Sequence, residues 1–127
     1  MLVDSRISSA WLGAQAYLVS LSGEIDLHLT PELDDALCYA IRQGARRIVV
    51  DFTPATFVDS SALGVILRAA ETLQQLGAEL VVACDDRRIL RTLELTGLER
   101  AFPIEPSLMD ALSRIPAHVS LDAGVHA

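Results

Sequence analysis

The sequence predicts an α/β fold: a mixed, mostly parallel sheet of about four to five strands, about four helices and an initial β-hairpin. Three observations predict it. Apolar runs without polar alternation recur, "RRIVVDF" and "AELVVAC" being the clearest, as expected of strands covered on both faces. Segments with apolar residues at helical spacing separate these runs. Such alternation of strand and helix builds a partly parallel sheet with right-handed crossovers.

The elements follow in order. "RISSAWLG" predicts a first strand, with Gly13 turning it as a hairpin into "AYLVSLSG", a strand from Ala16 to a turn signal at Gly23. "TPELDDALCYAIRQG" predicts a helix. Thr30 is its natural N-cap, Pro31 suits its first position, and Glu32, Asp34 and Asp35 favour the positive end of its dipole. Leu33, Leu37, Ala40 and Ile41 form the buried stripe, and Gly44 supplies a left-handed stop. After the strand "RRIVVDF", "FVDSSALG" reads as the end of a buried strand running into a helix. That helix, "SSALGVILRAAETLQQLG", turns Leu63, Ile66, Leu67, Ala70 and Leu73 inward and ends at Gly77. "AELVVAC" is the next strand. "DDRRILRTLELTG" is a third helix, capped by Asp85 or Asp86, with Ile89, Leu90 and Leu93 inward and Gly97 as stop. "AFPI" predicts a short last strand, and "PSLMDALSRI" a final helix halted by Pro116. Residues 1–115 are expected to form a single domain, and 116–127 a disordered tail without periodicity.

The 127 residues suit one domain, and 51% hydrophobic content builds a core without disulfides. The net charge of −7 argues against nucleic acid, whose phosphates would repel it. Cys38 and Cys84, among apolar neighbours, are expected to be buried free thiols in a reducing compartment. "MLVDSRISSAW" does not read as a signal peptide, and no apolar stretch approaches the roughly 18 residues of a membrane span. The expectation is a cytoplasmic protein.

The chemistry concentrates at Asp59, Ser60 and Ser61. A serine nucleophile needs a base within hydrogen-bond reach. His118 and His126 lie in the tail, which leaves His28 in "GEIDLHLT". The elbow spacing G-x-S-x-G is absent, because Val58 stands two before Ser60. A phosphate-binding loop of the G-x-x-x-x-G-K-[ST] type is absent too, and the chain has no lysine to serve one. No cysteine–histidine cluster suggests a metal, and no cofactor is expected. Helix capping is the simplest account, but one cap explains one residue and not three.

At this point "VDFTPATFVDSSALGVIL" resembles the signature of bacterial anti-anti-sigma factors, the single-domain members of the STAS family. "GEIDLHLTPEL" resembles the family's earlier motif, and "LTGLERAFPIEPSLMDAL" its ending, so the likeness runs from about Leu18 to Ile115. The resemblance implies a STAS fold and partner switching rather than enzymatic activity. In that scheme an unphosphorylated antagonist binds an anti-sigma factor with an ATPase-like serine kinase fold and releases the sigma factor. Phosphorylation of one serine inactivates it, and a serine phosphatase resets it. Carried over by position, the phosphoacceptor is Ser60, with Ser61 a minor alternative. Asp26, Asp59, Ser60, Ser61 and Ala62 make the partner-binding surface. The family usually has glycine where this chain has Ala62, whose methyl is expected beside the phosphorylation site. Two other readings stand beside this one. One is a STAS module of another assembly, a lipid-transport or stress-signalling complex. The other is a serine hydrolase using Ser60.

Overall fold

The computed structural model describes residues 5–13 and 15–114. Its elements run β1 (Arg6–Trp11), β2 (Ala16–Ile25), α1 (Thr30–Arg42), β3 (Arg47–Asp51), β4 (Ala55–Val58), α2 (Ser60–Gln75), β5 (Glu79–Ala83), α3 (Arg87–Thr96), β6 (Ile104–Glu105) and α4 (Leu108–Ser113). Short 3-10 turns, Leu27–Leu29 and Leu98–Arg100, precede α1 and follow α3. The expected α/β class, hairpin and four helices are all present. The sheet is one strand larger than expected, and β4 is the addition. The foreseen halt at Pro116 and the tail lie outside the described residues.

The sheet is ordered β1-β2-β3-β5-β6, antiparallel only between β1 and β2. β4 pairs with β2 beyond the point where β3 leaves it. Gly23 makes this exchange of partners. The sequence reading ended β2 there, but the strand continues through a register shift between Gly23 and Glu24, with Gly23 at φ 78°. A side chain is strained at that φ, so glycine permits a bulge where other residues resist one. Ala16–Ser20 therefore lies along Arg47–Asp51, and Gly23–Ile25 along Ala55–Val58. The glycines foreseen after α1, α2 and α3 have φ of 85°, 73° and 77° at Gly44, Gly77 and Gly97.

α1, α2 and α3 pack on one face of the sheet. Val19, Leu21, Ile48, Val50, Leu80 and Val82 meet Leu33, Leu37, Ile66, Leu73, Ile89 and Leu93 in one continuous core. The odd register partners point the other way: Val49, Val81 and Ala83, with Leu18, are covered by Leu108, Ala111 and Leu112 of α4. β3 is buried at every residue, as its unbroken apolar run predicts. Its Arg47 is only 6% exposed and donates to the carbonyls of Ala111 and Leu112, so a buried cation closes the C-terminal end of α4.

Two helix details differ from expectation. Thr30 does not cap α1. The preceding 3-10 turn runs straight into the helix, and the Thr30 N–H already bonds the Leu27 carbonyl, so Leu29 takes the cap position without a side-chain bond. α2 buries a wider face than the foreseen stripe: Ala62, Val65 and Ala69 join Leu63, Ile66, Ala70 and Leu73, while Leu67 is half-buried. The helix is wedged between the sheet and α1, so two of its sides are covered. Of the two proposed caps on α3, Asp86 holds the position and accepts from the Arg88 and Ile89 N–H groups.

Candidate functional site

The site forms where β2 and β4 end together. The Asp59 N–H donates to the Ile25 carbonyl at 2.8 Å, which seats Asp59 beside the end of β2 and so near Asp26. Asp59 is extended and caps α2. Its carboxylate accepts from the Ser61 hydroxyl at 2.6 Å and the Ser61 N–H at 3.0 Å. The Ser61 hydroxyl, first, and then its amide hold the Asp59 carboxyl below the usual carboxylate range. The single hydroxyl proton of Ser61 is therefore committed to Asp59. The Thr30 hydroxyl, on α1, lies within hydrogen-bond distance of the Ser61 oxygen, at 3.0 Å, and 3.5 Å from the Asp26 carbonyl. The threonine of one sequence motif is thus bonded to the serine of the other.

Ser60 is different. It is exposed on the first turn of α2, and its hydroxyl has no hydrogen-bond partner among the described residues. Between two adjacent serines, one is consumed by the fold and the other is presented to solvent.

Asp26 is exposed, as expected, and also caps the 3-10 turn, accepting from the His28 N–H at 3.0 Å. The His28 ring projects into solvent, its Nδ1 3.8 Å from Asp26, and no histidine bonds a serine hydroxyl among the described residues. Asn caps a helical turn about as well as Asp. Asp26→Asn is therefore expected to leave the melting temperature nearly unchanged while removing one charge from the surface around Ser60. A thermal scan beside a partner titration checks this. A large loss of stability with normal binding would make Asp26 a structural carboxylate.

Ala62 requires a correction. Its methyl is 0% exposed and belongs to the main core, under α2 rather than beside the Ser60 hydroxyl. The third residue of a helix lies on a different side from the first, and here that side faces the sheet. Ala62→Gly is expected to cost about 1 kcal/mol through helix propensity and to leave the rate of any reaction at Ser60 unchanged. Chemical denaturation and a phosphorylation time course check the two halves separately. A changed rate with an intact fold would return the methyl to the surface.

Two exposed apolar residues that sequence reasoning missed lie on the elements that adjoin the junction. Leu27, on the 3-10 turn, is 64% exposed, and Phe57, on β4, is 49% exposed. β4 is buried at Ala55 and Val58 but exposed at both Thr56 and Phe57, a pattern without the period of two that would have signalled it. The reading of a buried strand end concealed it.

The cap also makes the site sensitive to acid. Asp59 is depressed in the folded state, so its contribution is present above the ordinary carboxylate value and lost as pH falls through its lower folded value. Asp59→Asn is expected to flatten the acid limb of a stability-against-pH curve, measured by thermal unfolding from pH 7 downward. An unchanged acid limb would assign that limb to other carboxylates.

Among the described residues, no group of three or more His, Cys, Asp or Glu side chains could hold a metal ion. No described helix is long and apolar enough to cross a membrane. Cys84 is buried, but Cys38 is only partly so, in a groove between α1 and α2. Burial pushes both thiols up, which disfavours the reactive thiolate.

The STAS domain family matches residues 13–111, which includes β2, the junction and the start of α4. The chain belongs to the STAS domain family. Within it, the anti-sigma-B factor antagonist of Staphylococcus aureus is 34% identical over 83 residues, 65% of this chain and 77% of the relative. The anti-sigma-B factor antagonist of Listeria monocytogenes is 33% identical over 88 residues, 68% of this chain and 76% of that one. Among solved structures, an anti-sigma factor antagonist from Mycobacterium paratuberculosis superposes with a TM-score of 0.75 at 27% identity, covering 88% of this chain and 92% of the other. In this STAS domain the D-S-S motif thus lies at the end of a strand paired to the G-E-I-D strand, and the two motifs form one surface.

Proposed function

We propose that this STAS domain is an anti-sigma factor antagonist that works by partner switching. In its unphosphorylated form it binds an anti-sigma factor with an ATPase-like serine kinase fold and so releases a sigma factor. Phosphorylation of Ser60 inactivates it, and a serine phosphatase restores it. The chain is then a binding module and a kinase substrate in the cytoplasm, formed by residues 1–115, and needs no cofactor. The curated relatives named above support the class of partner.

The observation that carries the reading is the exposed Ser60 hydroxyl, unbonded among the described residues, next to a Ser61 that the fold has already used. A phosphate there adds about −1.5 to −2 charge. The free N–H groups and dipole of α2 tolerate it, so the fold survives. The neighbouring Asp59 and Asp26 make the surface strongly anionic. A partner that covers Ser60 would have to desolvate that charge, and disrupting an interface requires no refolding.

The test is direct. Incubation with the anti-sigma kinase of the source organism and ATP, followed by mass spectrometry, is expected to place the phosphate on Ser60. Phosphate mainly on Ser61, or on the tail residue Ser120, would overturn the assignment.

A further inference from the structure

We infer that the partner reaches past Ser60 onto α3, where it places an apolar side chain in a small groove and an acidic group against Arg88. The inference rests on the function proposed above and extends the surface it uses.

The groove lies between β4 and α3. Thr56, Phe57, Val58, Leu63, Ile89 and Thr92 line it with Arg88. Val58 and Leu63 stand two before and three after Ser60, so a partner covering the serine also covers the groove's edge. Its volume is about 110 Å³. That is the space of a few water molecules and well below the roughly 300–1,000 Å³ of small-molecule sites. It suits one aliphatic or methionine side chain, and its floor of Val58, Leu63 and Ile89 rewards that occupant.

Charge selects what accompanies it. Arg88 also borders a second, wider groove of about 710 Å³ with Arg87, Leu90, Arg91, Glu94, Glu99 and Ile104. Three arginines thus gather on the N-terminal half of α3, in a chain whose net charge is −7. The Arg88 side chain is 81% exposed and pairs with Asp86 at 3.4 Å, while Arg87 and Arg91 have no ion pair among the described residues. Glu94 and Glu99 lie toward the far end of α3, away from the cap. Asp85 and Asp86 precede these arginines and Asp86 pairs with Arg88, so the positive charge on this side rests mainly on Arg87 and Arg91, facing the acids Asp26 and Asp59 on the other. A partner segment with an apolar residue next to a carboxylate fits the cationic side, and opposite charges at the two sides set its orientation.

The probe is the anti-sigma factor that phosphorylates the wild type, titrated with full-length variants. Arg88→Glu keeps the Asp86 backbone cap and places an acid in a first helical turn, where the dipole favours it, so the fold should hold. It is expected to lower affinity at least tenfold, with Arg88→Gln losing less. Its deficit should shrink near about 1 M salt, where the screening length falls to about 3 Å. Phe57→Ala is expected to lose about tenfold without that salt dependence. Arg42→Glu, on α1, should bind as wild type. Wild-type affinity in both Arg88→Glu and Phe57→Ala would overturn the inference and leave the proposed function standing. So would an equal loss in Arg42→Glu, which would reduce the effect to overall charge. A wild type that binds no anti-sigma factor would overturn the function and this inference together.

Discussion

Ser60→Asp is expected to weaken binding to the anti-sigma factor by about 2–5 kcal/mol, or roughly 30- to several-thousand-fold. The partner must exclude water from the start of α2, and the new carboxylate would be buried beside the Asp59 carboxylate with no cation supplied. The fold itself should tolerate the change, because an acid on the first turn favours the dipole. Ser60→Ala is expected to cost about 1 kcal/mol or less, since the hydroxyl it removes has no partner among the described residues. It should also escape phosphorylation and so hold the partner permanently. Isothermal titration of wild type and both variants measures the difference. Equal affinities in all three would place Ser60 outside the interface.

Phe52→Ala is expected to cost about 3–5 kcal/mol of stability. The ring is 0% exposed and sits in the main core just past the end of β3. Both of its backbone groups are engaged: the N–H donates to the Ala83 carbonyl at 2.7 Å, and its carbonyl accepts from the Ala55 N–H at 2.8 Å. The backbone is therefore pinned at the turn into β4 and cannot follow the shrinking side chain inward, which leaves a cavity. For a domain of this size each kcal/mol lowers the melting temperature by roughly 4 °C. Phe52→Leu should lose much less. Because the turn feeds β4 and then Ser60, Phe52→Ala should also disturb the junction before other surfaces. Thermal unfolding checks the first point, and a loss under about 1 kcal/mol would show that neighbouring side chains refill the space.

Much of this fold is legible in the chain because local rules and tertiary structure agree. The unbroken apolar run of β3 and its complete burial have one cause, coverage on two faces. The glycines after α1, α2 and α3 stop helices through a backbone conformation open to them alone. The departures arise where a residue answers to a distant neighbour. Thr30 has the chemistry of a cap, yet its hydroxyl turns to Ser61, 31 residues on. Gly23 has the look of a turn, but β4 extends the sheet past it and makes it a bulge. Ala62 follows two polar serines in sequence, and only the position of the sheet beneath α2 shows that its methyl points inward.

The sequence by itself determined the class of fold, the succession of helices and strands apart from β4, and the junction as the candidate site. Those follow from periodicity, capping chemistry and the company of Asp59, Ser60 and Ser61. The division of labour between the two serines was decided only by tertiary structure. As residues they are chemically identical and adjacent, and both favour a helix start. What separates them is that α1 brings Thr30 within 3.0 Å of Ser61 and the Asp59 carboxylate accepts the Ser61 hydroxyl's hydrogen bond, while Ser60 is exposed among the described residues. A hydroxyl has one proton to give, so the serine held by the fold cannot also be the one freely offered, and that allocation depends on which neighbours the packed elements bring near.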